Sequence, residues 1–131
     1  MRSRTQAGFT VVELLVAVTL LITAGVLVIQ QKSQIERTDR DRERKIALNA
    51  MFYSLEEVYF PANNAYPAKI SKDNLTSMDP SLFKDPDGIT LGDAEADYHY
   101  DPTNCDGNVC RGYTLRASLE NEADYIKKSL R

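Results

Sequence analysis

Glu13 is the one formally charged residue in the run from Phe9 to Ile29, FTVVELLVAVTLLITAGVLVI, and a carboxylate in so apolar a setting needs a counter-charge. An ionised acid at the bilayer centre costs roughly 2.5 to 3.5 kcal/mol on insertion scales, and less near a helix end, so Glu13 is expected to pair with a positive group. Other residues able to do chemistry lie further along. Cys105 and Cys110 bracket Asp106-Gly107-Asn108-Val109, and in an oxidising compartment two thiols this close are expected to form a disulfide. Asp85, Asp87, Asp93, Glu95, Asp97 and Asp101 form an acidic run whose oxygens suit calcium, with Asp85 and Asp87 as its first ligands. The spacing fits no EF-hand, and Asp85-Pro86-Asp87-Gly88 is by default a turn in which carboxylates cap backbone amides, with calcium the lesser alternative. His99 is the sole histidine, which leaves a zinc site short of ligands and a nucleophile short of a base. No glycine-rich loop offers a phosphate cradle. The chain is therefore expected not to be an enzyme and to need no cofactor, and its remaining carboxylates to lie at the surface.

These groups need elements to position them. As a helix, the 21 positions from Phe9 to Ile29 span roughly 31 Å, enough to cross a bilayer. The preceding residues, MRSRTQAG, carry Arg2 and Arg4 and no acid, which by the positive-inside rule leaves this end in the cytoplasm and the bulk of the chain outside. An ordinary secretory signal would have a shorter apolar core, of about 7 to 15 residues, and a small-residue cleavage site. This run continues through Val26, Leu27, Val28 and Ile29, past the Ala24-Gly25 pair. A plain single-pass anchor with Glu13 snorkelling to the interface is the other alternative, and it leaves the spacing of Gly8, Phe9 and Glu13 unexplained. With no cysteine near the run, a lipoprotein anchor is disfavoured.

The basic leader, the Gly8/Phe9 junction and Glu13 five positions into the apolar run resemble the prepilin signature of type IV pilins and pseudopilins. In that family a dedicated prepilin peptidase cuts after the glycine, methylates the new amino terminus and leaves the apolar helix attached. The resemblance implies that Gly8 ends the leader, that Phe9 is the methylated mature N-terminus, and that Glu13 is the fifth mature residue. It further implies that the Glu13 carboxylate meets the Phe9 amine of a neighbouring subunit, so that two charges in lipid become one pair and set register during assembly. An intramolecular pairing before assembly is also open. Where many type IVa pilins place a proline in this helix, the chain has Gln30.

Subtracting leader and apolar run from 131 residues leaves material for one modest domain. The chain carries a net charge of −3, and from Ile46 to Arg131 it has 8 Lys and Arg against 14 Asp and Glu, a balance that repels polyphosphate backbones and disfavours nucleic acid. Gln30 to Lys45 alternates in sign without Pro or Gly and reads as an exposed helix, its charges either solvated or meeting other subunits. Leu48, Met51, Phe52, Leu55, Val58 and Tyr59 then recur at helical spacing until Pro61 and Asn63-Asn64 are expected to stop the helix, with Phe52 and Tyr59 as core residues.

Residues 61 to 97 read as a packed loop with one helical turn, and Tyr66-Pro67 as one of its turn signals. Tyr113, Leu115, Ala117 and Leu119 alternate with polar residues as a half-buried strand, preceded by one around Tyr98 to Tyr100 and followed by one at Tyr125-Ile126-Lys127-Lys128. The expected fold is α+β: a long N-terminal helix, membrane-spanning in its first half, packed on an antiparallel sheet of about three strands, which is also the pilin architecture. The organisation expected is a leader at 1–8, an assembly helix at 9–29, its continuation at 30–60 and a head at 61–131. Function is expected to be structural: a subunit of a type IV pilus or pseudopilus, first single-pass in the cytoplasmic membrane, then in an extracytoplasmic or cell-surface filament. The partners implied are further copies or other pilins, the prepilin peptidase, an inner-membrane assembly platform and, before assembly, membrane lipid. The alternative is a minor pilin whose head recognises DNA or a surface receptor, with Arg111, Arg116, Lys127 and Lys128 as a local basic patch.

Overall fold

The computed structural model describes residues 9–131; Gly8 and the rest of the leader lie outside the described residues. Helix α1 runs Val11–Tyr53. It runs unbroken through the rest of the apolar run: the one internal glycine, Gly25, has open space around it, and the polar Thr19 and Thr23 hydroxyls donate back to the carbonyls of Leu15 and Thr19 at 2.8 and 3.1 Å. Every residue from Phe9 to Ile29 is exposed. Among the described residues this is the one helix long and apolar enough to cross a membrane by length and composition, with a mean hydropathy of 2.6 in its most apolar window.

The helical path does not stop at Pro61. A π-helical turn, Ser54–Tyr59, is followed by the short helix α2, Phe60–Asn63, with Pro61 in its first turn and Asn64 left-handed at its end, φ 53°. The Phe60 amide donates to the Leu55 carbonyl, five residues back. Proline lacks an N–H and its ring collides with the carbonyl four residues before it, so a widened turn ahead of Pro61 relieves that clash and lets the helix continue to Asn64.

The chain divides into two compact units, up to Glu36 and from Arg37 to Arg131, so the domain described next takes in the last part of α1. Its sheet has four strands: β1 Tyr66–Pro67, β2 Tyr98–Asp106, β3 Val109–Ala117 and β4 Tyr125–Lys128. Strand β3 is central. On one side β2 pairs with it antiparallel from Tyr98↔Ala117 to Asp106↔Val109. On the other side β4 takes Thr114 to Ala117 and β1 takes Val109 and Cys110, so the sheet is three ranks wide although four strands build it. Tyr66-Pro67, expected as a turn, is thus a strand, because Tyr66 is fully buried and draws its backbone against β3. Gly107, φ 60°, opens the two-residue turn from β2 to β3, as a type II′ hairpin requires. Pro102 is accommodated in β2 because that strand is an edge.

Leu48, Met51 and Leu55 from the helix pack against Tyr98, Tyr113, Leu115 and Ala117 from the sheet, with Leu75, Met78 and Phe83 from the connecting loop closing the core. The helical turn expected in that loop is a 3₁₀ turn, Pro80–Phe83, capped by the Asp79 side chain on the Ser81 amide. Phe52 and Tyr59 are only partly buried, packed against the core without entering it. Cys105 and Cys110, directly opposed on β2 and β3, form a disulfide. Closing so small a ring contributes only about 2 kcal/mol by the loop-entropy relation.

Core position, not residue type, sets the effect of truncation here. Leu55→Ala, at a site with no exposure, is expected to lower unfolding free energy by about 2 to 5 kcal/mol. Ile126→Ala, at 51 % exposure, is expected to stay within about 0.5 kcal/mol. Urea unfolding of the full chain in detergent, followed by tyrosine fluorescence, compares them.

Candidate functional site

Thr10 and Glu13 face each other across the first turn of α1. The Thr10 amide donates to Glu13 Oε2 at 3.5 Å, the Glu13 amide donates to Thr10 Oγ1 at 3.3 Å, and the Thr10 carbonyl accepts from the Leu14 amide at 3.1 Å. This reciprocal pair is a capping box, which supplies acceptors for two of the amides that every helix start leaves unpaired. Glu13 thereby has a role within its own chain, and the signal for it, Thr-x-x-Glu ahead of an apolar run, was in the sequence. Both bonds are long, and the carboxylate keeps acceptor positions for a further donor. Phe9, expected as the mature N-terminus, is exposed.

The second cluster adds a third use to the two expected for the charges of Gln30 to Lys45, solvation or contact with other subunits: several of them pair within the head itself. Asp41 and Arg44 are each 2 % exposed. The Arg44 guanidinium meets Asp41 at 3.1 Å, Asp97 at 2.7 Å, Asp87 at 3.2 Å and Glu120 at 2.9 Å. Arg40 grips Glu120 with two nitrogens at 2.6 and 2.7 Å, and Lys45 pairs with Glu122 at 2.6 Å. Asp41 turns its other bonds to the backbone, accepting from the amides of Glu120 and Asn121 at 2.8 and 2.9 Å. Burial alone would raise the Asp41 pKa, but those two amides and Arg44 outweigh it and hold the group below its usual value. Burial likewise opposes the charge of Arg44, and the carboxylates of Glu120 and Asp97 more than offset it. Hydrogen bonds from Arg40 and then Arg44 bring the Glu120 carboxyl down to about 2. The cluster pins α1 to the acidic loop and to the turn between β3 and β4.

Glu56, inside the π-helical turn, is 1 % exposed. Its carboxylate accepts from Tyr66 Oη at 2.9 and 3.0 Å, from Tyr113 Oη at 2.8 Å and from the Leu130 amide at 3.2 Å. One acid thus gathers β1, β3 and the chain end onto the helix. The Tyr66 and Tyr113 rings stack edge to face at 4.7 Å. Burial first, and then the Glu56 carboxylate, push the Tyr66 hydroxyl up to about 12 and raise that of Tyr113 also. The Glu56-Glu57 pair gave no sequence signal of this role, since two acids on a helix read as a solvated face.

Asp85 and Asp87 are drawn into different contacts. Asp85, 5 % exposed, accepts from the amides of Ile89 and Asp97 at 2.8 and 3.2 Å, while Asp87 faces Arg44. Among the described residues no group of three His, Cys, Asp or Glu side chains is placed to hold a metal ion. Of the four basic residues, Arg111 and Arg116 on β3 and Lys127 and Lys128 on β4, Arg116 is paired with Asp124 at 3.1 Å, and Lys127 lies over the rings of Phe52 and Tyr125 at 5.2 and 5.5 Å. His99, the sole histidine, is half-buried opposite Arg116 in the strand register. It lines a groove of about 640 Å³ with Ala68, Ile70, Leu91, Tyr98 and Tyr100.

Two outcomes follow from these clusters. Because the folded Glu120 pKa lies below its ordinary 4.5, its contribution to stability is complete above about pH 4.5 and is lost as pH falls to about 2. Urea midpoints measured from pH 6 to pH 2 should therefore drop across that interval, and Glu120→Gln should flatten the drop. Separately, Glu56→Leu strands two hydroxyls and an amide and is expected to cost about 3 kcal/mol or more, whereas Tyr113→Phe removes one donor and should cost about 1 to 2 kcal/mol. Equal losses in the two variants would contradict the hub. No protein-family model, curated protein or solved structure matches this chain.

Proposed function

We propose that the chain is a structural subunit of a type IV pilus or pseudopilus, cut by a prepilin peptidase between Gly8 and Phe9 and polymerised through its N-terminal helix. The observation that carries this reading is the placement of Glu13, a lone acid one turn into an apolar helix and five positions past a Gly-Phe junction with a basic leader before it. A helix whose apolar side chains are exposed along its whole first half is unstable in water and needs lipid before assembly and other copies after it. In the assembled filament, the Phe9 amine of one subunit takes the Glu13 carboxylate of another, and the desolvation of both charges is offset by their attraction. The head, anchored on the last part of α1 by Arg44 and on the π-helical turn by Glu56, is the portion outside the membrane, where its disulfide is stable. No catalytic step is required of any residue.

Mass and sequence of the mature N-terminus test processing directly: a methylated Phe9 is expected, and a protein beginning at Met1 would overturn the proposal. Substitutions separate capping from charge pairing. Glutamine still caps a helix start but carries no charge, so Glu13→Gln and Glu13→Ala should both insert and be cleaved while their yield in sheared filaments falls at least about tenfold, the factor that about 1.4 kcal/mol of lost pairing gives. Normal yield from Glu13→Gln with loss from Glu13→Ala would assign Glu13 to capping alone.

A further inference from the structure

The disulfide sits where its loss would be felt in one place. Cys105 is exposed and Cys110 is fully buried, and the bond joins them at the turn end of the β2–β3 hairpin. Next to Cys105, Asn104 holds a left-handed backbone, φ 53°, a conformation that Asn tolerates better than other residues with a side chain. Cys110 is at the same time the β3 residue opposite Tyr66 in β1. That strand has only two residues, and beyond the ladder its next bond runs from the Ala68 amide to the Asn108 carbonyl at 3.3 Å, within the turn that the disulfide closes. Ala68 also begins one wall of the groove that Tyr98, His99 and Tyr100 line on the other side. Elsewhere β3 is held by β4, and the core by contacts that involve neither sulfur except at Cys110 itself.

We propose that Cys105–Cys110 is a redox-responsive latch on β1: exchange with an external dithiol opens the bond, releases the hairpin end and loosens Tyr66 to Ala68 while the rest of the head stays folded. The burial asymmetry fixes the chemistry. A thiolate of the dithiol attacks the sulfur of Cys105, the exposed residue of the two, the S–S bond breaks, and Cys110 leaves as a thiolate that takes up a proton. The second thiol of the reagent, as thiolate, then displaces Cys105 from the mixed disulfide, and Cys105 is protonated in turn. The reagent ends as a disulfide and the protein as two thiols, a transfer of two electrons and two protons. The ring is small, so its opening returns little entropy to the unfolded chain and the effect is local. What changes is the order of the segment that supports Tyr66 on Glu56 and shapes the Ala68 side of the groove. This inference does not rest on the filament reading and survives its failure.

The test uses the full chain in detergent micelles, with dithiothreitol as the dithiol and hydrogen exchange read segment by segment. Reduction without denaturant, with exchange at the Tyr66 and Ala68 amides and around Asn108 at least about tenfold faster and that of Leu48 to Leu55 and of β4 unchanged, is the expected result. A bond that opens only after the head unfolds would overturn the proposal, as would reduction that leaves exchange unaltered or that raises it throughout the head. Cys105→Ser combined with Cys110→Ala should reproduce the reduced pattern with no reagent present, and an exchange pattern matching the oxidised chain would count against the latch.

Discussion

A charge withdrawn from water must find its partners, and the head of this protein is organised around that constraint. Arg44 is the clearest case, since a guanidinium at 2 % exposure is tolerable only with carboxylates against it. Four of them come from different places: Asp41 one turn back on the same helix, Asp87 and Asp97 from the acidic loop, and Glu120 from the turn before β4. Two of these segments meet at the end of the β2–β3 ladder, where the Ser118 amide donates to the Asp97 carbonyl at 2.9 Å, but no strand pairing reaches the helix. The demand of one cation therefore fixes the relative position of a helix, a loop with little regular structure and a strand connection. Buried ion clusters are weak sources of net stability, and here the arrangement is better understood as specifying where the loop lies.

Glu56 applies the same constraint with the sign reversed. Its carboxylate draws two tyrosine hydroxyls and a backbone amide inward, and it can do so because the π-helical turn carries it to the buried side. Pro61, which forces that widening, thus acts on the core from outside it. The central position of β3 follows from the same contacts, because Tyr113 reaches Glu56 from β3 while Tyr66 reaches it from β1, paired to the same strand. Gly112 allows this crowding: a Cβ there would lie 2.8 Å from the Thr103 hydroxyl and 3.0 Å from that of Ser129, and the Ser129 hydroxyl is in turn the acceptor for the Tyr113 amide.

The long helix, the order of elements and the β2–β3–β4 meander were legible because periodicity is local. Period two from Tyr113 to Ala117 and the apolar spacing from Leu48 to Leu55 each report a face that meets the core. Strand β1 was not legible. Two residues carry no period, and the proline in Tyr66-Pro67 points to a turn until the burial of Tyr66 is known. The charged clusters were hidden for a different reason. Arg44 lies in a stretch where acids and bases alternate, and i,i+4 spacing describes neighbours on the helix surface, not partners some 76 residues away. Long-range pairing of common residue types leaves no mark in one sequence, whereas a cysteine pair five residues apart does.

Glu13 joins the local and the long-range kinds of information. Its capping contact is local, a three-residue spacing that satisfies helix-start amides at 3.3 and 3.5 Å, and these distances are those of weak bonds. In low dielectric an amide offers a carboxylate far less than an ammonium does, because the attraction of a full charge grows as water is excluded. A chain with its acid held in a weak cap carries that acid already aimed along the first turn, with some side-chain freedom given up in advance. In the proposed filament the amine of a neighbour then meets a pre-oriented carboxylate, and the cap bond from Thr10 can persist because the second oxygen remains open to it. In that proposal capping and pairing are successive uses of one side chain, and the first lowers the entropic cost of the second.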